Sequence, residues 1–381
     1  MNFRREIRIL LHYPIYGICM VVLPLVVTLF FTSLMQEGQP LQMPIGIVDL
    51  DNTSTTRQLS RMLDAYQNTR IVAHYQSEEE ARRAIQRNEI YAFMLFPRNL
   101  TQNIISGRTP KMSFYYTNTT LLAGALIYKE MRVISTLANA AVGRAVMQAK
   151  GYTPRQIRAY LQPIVLDTHQ VVNPWLNYNA YLSAMLIPGA FLLFVFLITV
   201  YSLGTEIKFG RLQEWLDANG GSIYRAVLAK LLPQTAVFFG VFLLIVLYMY
   251  GVLSFPITGG VHRIMLLALL SILASQGFAT FIFGLIPSLR MSMSVCSLWA
   301  VLSFSMVGTA FPVFAMDAPL QALAWLFPLR HYYLIYQLCV FDDFPLSDAW
   351  PHILALLLFM TLPLLVIRRM HRSLLKFGYQ P

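Results

Sequence analysis

YLSAMLIPGAFLLFVFLITVYSL, residues Tyr181–Leu203, contains no Asp, Glu, Lys or Arg, and the chain turns charged at once after it, at Glu206, Lys208 and Arg211. A helix rises 1.5 Å per residue and satisfies its own backbone, so about 20 such residues cross about 30 Å of hydrocarbon. Five further windows pass the same test, giving spans over 14–35, 181–203, 231–254, 264–286, 291–316 and 349–367. One such run could be a buried core helix of a soluble protein; six in one chain define a polytopic α-helical membrane protein.

The charges between these runs set an orientation. Of 29 Lys and Arg, twelve form strips on one side: Arg4, Arg5 and Arg8; Lys208, Arg211, Arg225 and Lys230; Arg290; and Arg368, Arg369, Arg372 and Lys376. The short loops of the other side carry only Arg263 and Arg330, against Asp317, Asp342, Asp343 and Asp348. This bias in short loops is the positive-inside rule, and it predicts both termini in the cytosol. The net charge of +11 is therefore largely topological and does not point to nucleic acid. The first run is too long for a signal-peptide core and is followed by Gln36-Glu37-Gly38-Gln39-Pro40 with no small-x-small site, so it reads as a retained signal-anchor.

Residues 36–180 are polar enough to be aqueous and are expected outside the cytosolic face, since long domains translocate regardless of charge. Ile45–Asp49, Ile71–Ala73, Tyr91–Phe96 and Met112–Tyr116 read as strands. Asn52-Thr53-Ser54 and Ser77 followed by Glu78-Glu79-Glu80 start helices, with acids where the helix dipole favours them. A long helix is expected from Thr119 to about Lys150, another opens at Thr153-Pro154, and Ile164–Val172 reads as a strand leading back to the membrane. The insert is thus an α/β domain. Cys19, Cys296 and Cys339 lie in or beside spans, so the insert has no disulfide staple and no zinc site. His74 and His169 lack partners at ligand spacing, and Asp49 with Asp51 are expected to shape a turn.

The loop 204–230 carries a short helix with Leu212, Trp215 and Leu216 at i, i+3 and i+4 and charge on its other face. Asn219-Gly220-Gly221 ends it and Ser222 caps the next helix. Two roles fit this shape equally: an interfacial helix with Trp215 at the headgroups, or a helix presented to a cytosolic partner with Trp215 as its anchor. At the start, Phe3, Ile7, Ile9, Leu10 and Leu11 alternate with Arg4, Arg5 and Arg8, so residues 1–13 can lie along the inner leaflet before turning up at Pro14. At the other end, 317–346 is too polar and too broken by Pro319, Pro328 and Pro345 for a clean span, and reads as a re-entrant helical hairpin. Arg330 within it is expected to snorkel to the outer headgroups or to pair with Asp342 or Asp343, ahead of contacting substrate. Residues 368–381 form a basic tail.

Here the chain resembles the ABC-2 permeases, the membrane subunits of type-2 ABC exporters, in particular those with a large extracytoplasmic domain after the first span. The resemblance rests on Glu206, Gly210, Glu214-Trp215-Leu216 and Lys230-Leu231-Leu232-Pro233, with Arg211 and Ala229 departing from the usual Thr and Gly. Asn173-Pro174, Tyr178–Leu182 and Pro188-Gly189 resemble the family's approach to its second span. Phe311-Pro312-Val313-Phe314 and Leu320–Leu329 resemble its re-entrant element, and Asp51-Asn52 and Phe96-Pro97 fit the insert. The resemblance implies that the loop helix docks on a separate ATP-binding subunit through Glu214 and Trp215, with Glu206 bracing it. It further implies two permease subunits, identical or paralogous, paired with two ATPases in an inner membrane.

The chain has no G-x-x-x-x-G-K-[ST] and no Gly-Lys pair, so ATP and magnesium would belong to the partner and no cofactor to this chain. No paired carboxylates or nucleophile–base pairs near span ends suggest an enzyme. Few polar groups lie in the spans: Ser292, Ser294, Ser297, Ser303 and Ser305 in the fifth, and Thr199, Tyr201 and Ser202 in the second. Such residues usually mark helix packing, so the path suits a lipidic or amphipathic substrate; a periplasmic adaptor as a further partner is what the resemblance to exporters of this subgroup implies. The alternatives are a mechanotransmitter that works an extracytoplasmic partner without passing substrate, and a membrane sensor, for which the cytosolic portions are short.

Overall fold

The computed structural model describes residues 1–106, 108–161 and 177–376. They form two compact units, one of Met1–Gln36 together with Val171–Pro381, the other of Glu37–Gln170. The expected strand at Ile164–Val172, the Asn173-Pro174 pair and His169 lie outside the described residues.

In the first unit, six helices are long and apolar enough to cross a membrane: Pro14–Leu34, Tyr178–Lys208, Ile223–Val252, Val261–Leu285, Leu289–Met306 and Leu346–Arg372. The chain is a polytopic helical membrane protein with an inserted domain. The second span is the central one and packs against the first, fourth and fifth. Phe191 meets Phe238 and Phe242 of the third span edge to face, and Phe196 lies against Phe278 of the fourth. Between spans of equal apolarity to lipid, such packing and buried polar contacts supply the association. Asn179 donates to the Thr32 carbonyl of the first span at 3.1 Å and accepts from Ser183 at 2.7 Å, and Thr235 donates to Gln276 across the third and fourth spans at 2.7 Å. Gly189 sits against the Phe304 ring and Gly277 against the Phe359 carbonyl, where a side chain would hold the helices apart. The first span carries one π-helical turn, Ile18–Val22, that ends two residues before Pro24, which has no amide hydrogen to continue the regular ladder.

The fifth span stops at Met306, short of the expected 316. Gly308 takes a φ of +102° just beyond it, and Arg330 donates to the free carbonyls of Val307 at 3.1 Å and Met306 at 3.4 Å. After it come a 3₁₀ turn, Val313–Ala315, and the short helices Ala318–Ala324 and Pro328–Ile335. The expected pairing of Arg330 with Asp342 or Asp343 is replaced by this cap: Asp343 instead accepts from Arg263 at 2.8 Å. A guanidinium beside the negative end of a helix satisfies carbonyls that have no intrahelical partner. Pro312 precedes the 3₁₀ turn and Pro328 opens its helix at the first position, where its missing amide costs nothing. Trp299 of the fifth span stacks on Phe327 and donates to the Leu326 carbonyl at 3.1 Å, fixing this segment to the bundle.

The second unit is an α/β domain whose strands are β1 (Met43–Asp49), β2 (Thr69–Tyr75), β3 (Ala92–Phe96) and β4 (Ser113–Tyr116). They lie in the order β2-β1-β3-β4, with the first three parallel and β4 antiparallel to β3. Its helices are α1 (Ser54–Asp64), α2 (Glu78–Gln86), α3 (Leu100–Ile105), α4 (Leu121–Ala149) and α5 (Pro154–Leu161). β1 is buried on both faces, as a central parallel strand must be. Ile45 and Ile47 pack with Leu63 of α1 and Ile127 and Met131 of α4, while Val48 packs with Ala81 and Ala84 of α2. Gly46 is required by the Tyr75 ring, which lies where a Cβ would project. Thr53 and Thr56 form a reciprocal capping box on α1, and Ser77 caps α2 ahead of three glutamates. Asp49 shapes the turn after β1, accepting from the amides of Asp51 at 3.0 Å and Asn52 at 2.8 Å. Asp51 accepts from the Thr101 hydroxyl at 2.7 Å and its amide at 3.1 Å, tying that turn to α3.

Candidate functional site

Between the second and third spans the chain must reverse within a few residues. Gly210, Gly220 and Gly221 supply positive φ values of 64°, 69° and 67°, and between them stands the loop helix Leu212–Asp217. The Arg211 amide reaches back to the Glu206 carbonyl at 2.9 Å and the Gly221 amide to the Leu216 carbonyl at 2.9 Å, so both ends of the loop are closed by hydrogen bonds.

The apolar stripe of this helix faces inward. Trp215 is 1% exposed and Leu216 is buried, with Leu212 half-buried beside them. Gln213, Glu214 and Asp217 are exposed. Presentation of Trp215 outward, as a docking anchor or at the headgroups, is therefore corrected. Its indole covers the ammonium of Lys230, 5.2 Å from the ring, at the start of the third span. A six-residue helix has a single apolar stripe, and burying it inside the chain removes that surface from water.

Beneath Trp215 lies a buried ion cluster drawn from three distant parts of the sequence. Lys230 donates to Glu6 at 2.7 Å and to Glu206 at 2.7 Å. Arg5 donates to Glu6 at 2.7 Å and grips both oxygens of Glu206, at 3.1 and 2.9 Å. The side chains of Glu206, Lys230 and Glu6 are only 1–3% exposed. Two cations and two anions thus balance in a place where a lone charge would be costly. Burial alone would lower the Arg5 pKa, but the hydrogen bond and charge of Glu206, joined by Glu6, outweigh it and hold the guanidinium above the ordinary arginine range. Arg5 also reaches Glu214 at 3.6 Å, the one acid of the group whose side chain is 69% exposed.

Arg5 and Glu6 belong to an amphipathic helix, Phe3–His12, that is fastened to the loop along its length. The Asn2 amide donates to Asn219 at 2.9 Å, and Asn219 in turn donates to the Trp215 carbonyl at 2.9 Å. Beyond the far end of the helix, Arg211 lies over the Tyr13 and Phe209 rings. The N-terminal helix, the loop helix and the adjoining ends of two spans therefore form one electrostatically locked body, on which the loop helix exposes Gln213, Glu214 and Asp217 and the N-terminal helix exposes Arg4 and Arg8. Sequence patterning places Glu206, Glu214 and Trp215 in this loop but misses Arg5, Glu6 and Lys230 as a group. The signal is present as the single acid in Arg4-Arg5-Glu6-Ile7-Arg8 and the single lysine in Val227–Leu232.

The family model described as ABC-2 family transporter protein matches residues 15–368 of the chain. No curated protein matches it.

Proposed function

Because the chain belongs to the ABC-2 family of transporter proteins and is a membrane permease subunit of an ABC transporter, we propose that the loop helix is where a separate cytosolic ATP-binding subunit docks. Both termini are then cytosolic and the inserted domain extracytoplasmic, in keeping with the strips of Arg and Lys flanking the spans. ATP and magnesium sit on the partner, and a second permease subunit completes the transporter. The complex works as an exporter, and the apolar spans suit a lipidic or amphipathic substrate.

The observation that carries this reading is the buried cluster of Arg5, Glu6, Glu206 and Lys230. A push on the exposed face of the loop helix passes through Arg5 and Trp215 to the ends of the second and third spans without deforming a soft contact, because each group is held by at least two partners. Transmission of this kind needs a rigid element with discrete arrangements.

An exposed acid supplies the test. The variant Asp217→Arg reverses an exposed charge on the docking face outside the Arg5 cluster and leaves Trp215 and Lys230 in place. Co-purification of an ATP-binding subunit with the tagged chain from its native membrane is expected to fall at least tenfold, with the thermal midpoint of the permease unchanged. Undiminished co-purification places docking elsewhere. Retention of coupled ATP hydrolysis with no substrate movement in reconstituted vesicles favours the mechanotransmitter alternative.

A further inference from the structure

The inserted domain contains a second constellation that the loop-docking reading does not use. β2 lies on one side of β1 and β3 on the other, so the chain passes from β1 to the edge strand β2 through α1 and returns across β1 to β3 through α2. Helices α1 and α2 correspondingly pack on opposite faces, one with each hydrophobic cluster. A cleft of about 1000 Å³ runs along α1 and the edge strand β2, beside the turn that follows β1.

Its lining is basic in an unusual way. Arg57 and Arg61 stand one helical turn apart on α1, Arg98 follows the end of β3, and His74 comes from β2. Two acids, Asp49 and Asp64, share the cleft, and among the described residues neither forms an ion pair with the arginines. Asp49 is held by the amides of Asp51 and Asn52, and Asp64 accepts from the Ile71 amide at 2.8 Å. Among the described residues, Arg57, Arg61 and Arg98 form no ion pair. Arg57 donates one hydrogen to the Asn52 carbonyl at 3.1 Å and Arg61 one to the Arg57 carbonyl at 3.4 Å, leaving the rest of each planar fork open. Each arginine offers five donors in a geometry matched to a tetrahedral or planar oxyanion.

We propose that this cleft is a binding site for a multiply charged oxyanion of the phosphate class, gripped by Arg57 and Arg61 of α1 and by Arg98 beyond the end of β3. The group belongs either to a free phosphorylated solute or to a phospholipid headgroup. Fork-on-oxyanion bonds between charged partners are shorter and about twice as strong as neutral ones, so three arginines on one group give a saturable site. Because the arginines are exposed, the interaction is screened by salt.

The test uses the full-length chain in amphipol, titrated calorimetrically with sodium pyrophosphate and, separately, with dihexanoyl phosphatidylglycerol below its micelle concentration. At least one probe is expected to bind at one site per chain, more weakly at 500 mM than at 50 mM sodium chloride. The triple variant Arg57→Gln/Arg61→Gln/Arg98→Gln is expected to weaken that binding at least tenfold. These side chains are exposed and Gln keeps much of their stem, so the thermal midpoint should stay within the range of ordinary surface substitutions. Tighter binding of pyrophosphate assigns the site to a free solute, and tighter binding of the lipid to a headgroup. Flat titrations with both probes, or binding that the triple variant leaves intact, overturn the proposal. Neither arm involves an ATP-binding subunit, so the result is independent of whether the loop helix docks one.

Discussion

Replacing Lys230 with methionine is expected to destabilise the permease by about 3–5 kcal/mol, the usual cost of removing one partner from a buried ion pair. Methionine fills much the same space, so the loss is electrostatic. Glu6 and Glu206 would then share Arg5 alone, leaving one uncompensated negative charge where the side chains are almost wholly excluded from solvent. The double variant Lys230→Met/Glu206→Gln restores the balance, because Arg5 and Glu6 remain as a neutral pair at 2.7 Å. It is therefore expected to recover part of the loss, since residues of one network do not behave additively. Thermal unfolding in mild detergent, followed for the wild type, both single variants and the double, gives the comparison. A Lys230→Met protein that melts with the wild type, or a double variant whose loss equals the sum of the singles, means that the cluster is not an interdependent unit.

Trp215→Ala is expected to cost about as much, roughly 3–5 kcal/mol, the range for truncating a large buried aromatic side chain. The indole is 1% exposed, and its removal also uncovers the Lys230 ammonium. Trp215→Phe separates an internal strut from a surface anchor. The indole nitrogen is buried and has no hydrogen-bond partner among the described residues, so phenylalanine loses no bond there and keeps an aromatic face over the cation. The Trp215→Phe protein should therefore stay within about 1.5 kcal/mol of the wild type, as volume-tolerant core exchanges do, and should still recruit the ATP-binding subunit. Loss of recruitment by a stably folded Trp215→Phe chain would return Trp215 to the docking surface.

These two residues show where sequence patterning ends. The spans are legible because about 20 uncharged residues in a row have few other uses, and the strands of the insert because short apolar runs are bounded by Pro, Asn and Asp. The direction of the loop helix is not legible. The i, i+3, i+4 stripe of Leu212, Trp215 and Leu216 looks the same whether it packs inward or onto a partner, and only the position of Lys230 decides. Arg5 and Glu6 resemble the positive flank of any first span, and their partners lie about two hundred residues away in the chain. The end of the fifth span is hidden for a different reason: residues 291–316 stay free of charge throughout, and the break at Gly308 is capped by an arginine from a later segment. Arg330 stands out as an ionisable residue in an apolar setting, yet periodicity cannot tell pairing with an aspartate from capping of a helix.

The central claim, that the loop helix receives a separate ATP-binding subunit, is tested most directly by photocrosslinking in the native membrane. A benzophenone amino acid is placed at Asp217, on the exposed face of the loop helix, and in a second chain at Ser254, between the third and fourth spans. An adduct of this chain with an ATP-binding protein from position 217 and none from position 254 is the predicted result. Absence of any such adduct from 217, or equal adducts from both positions, would contradict it.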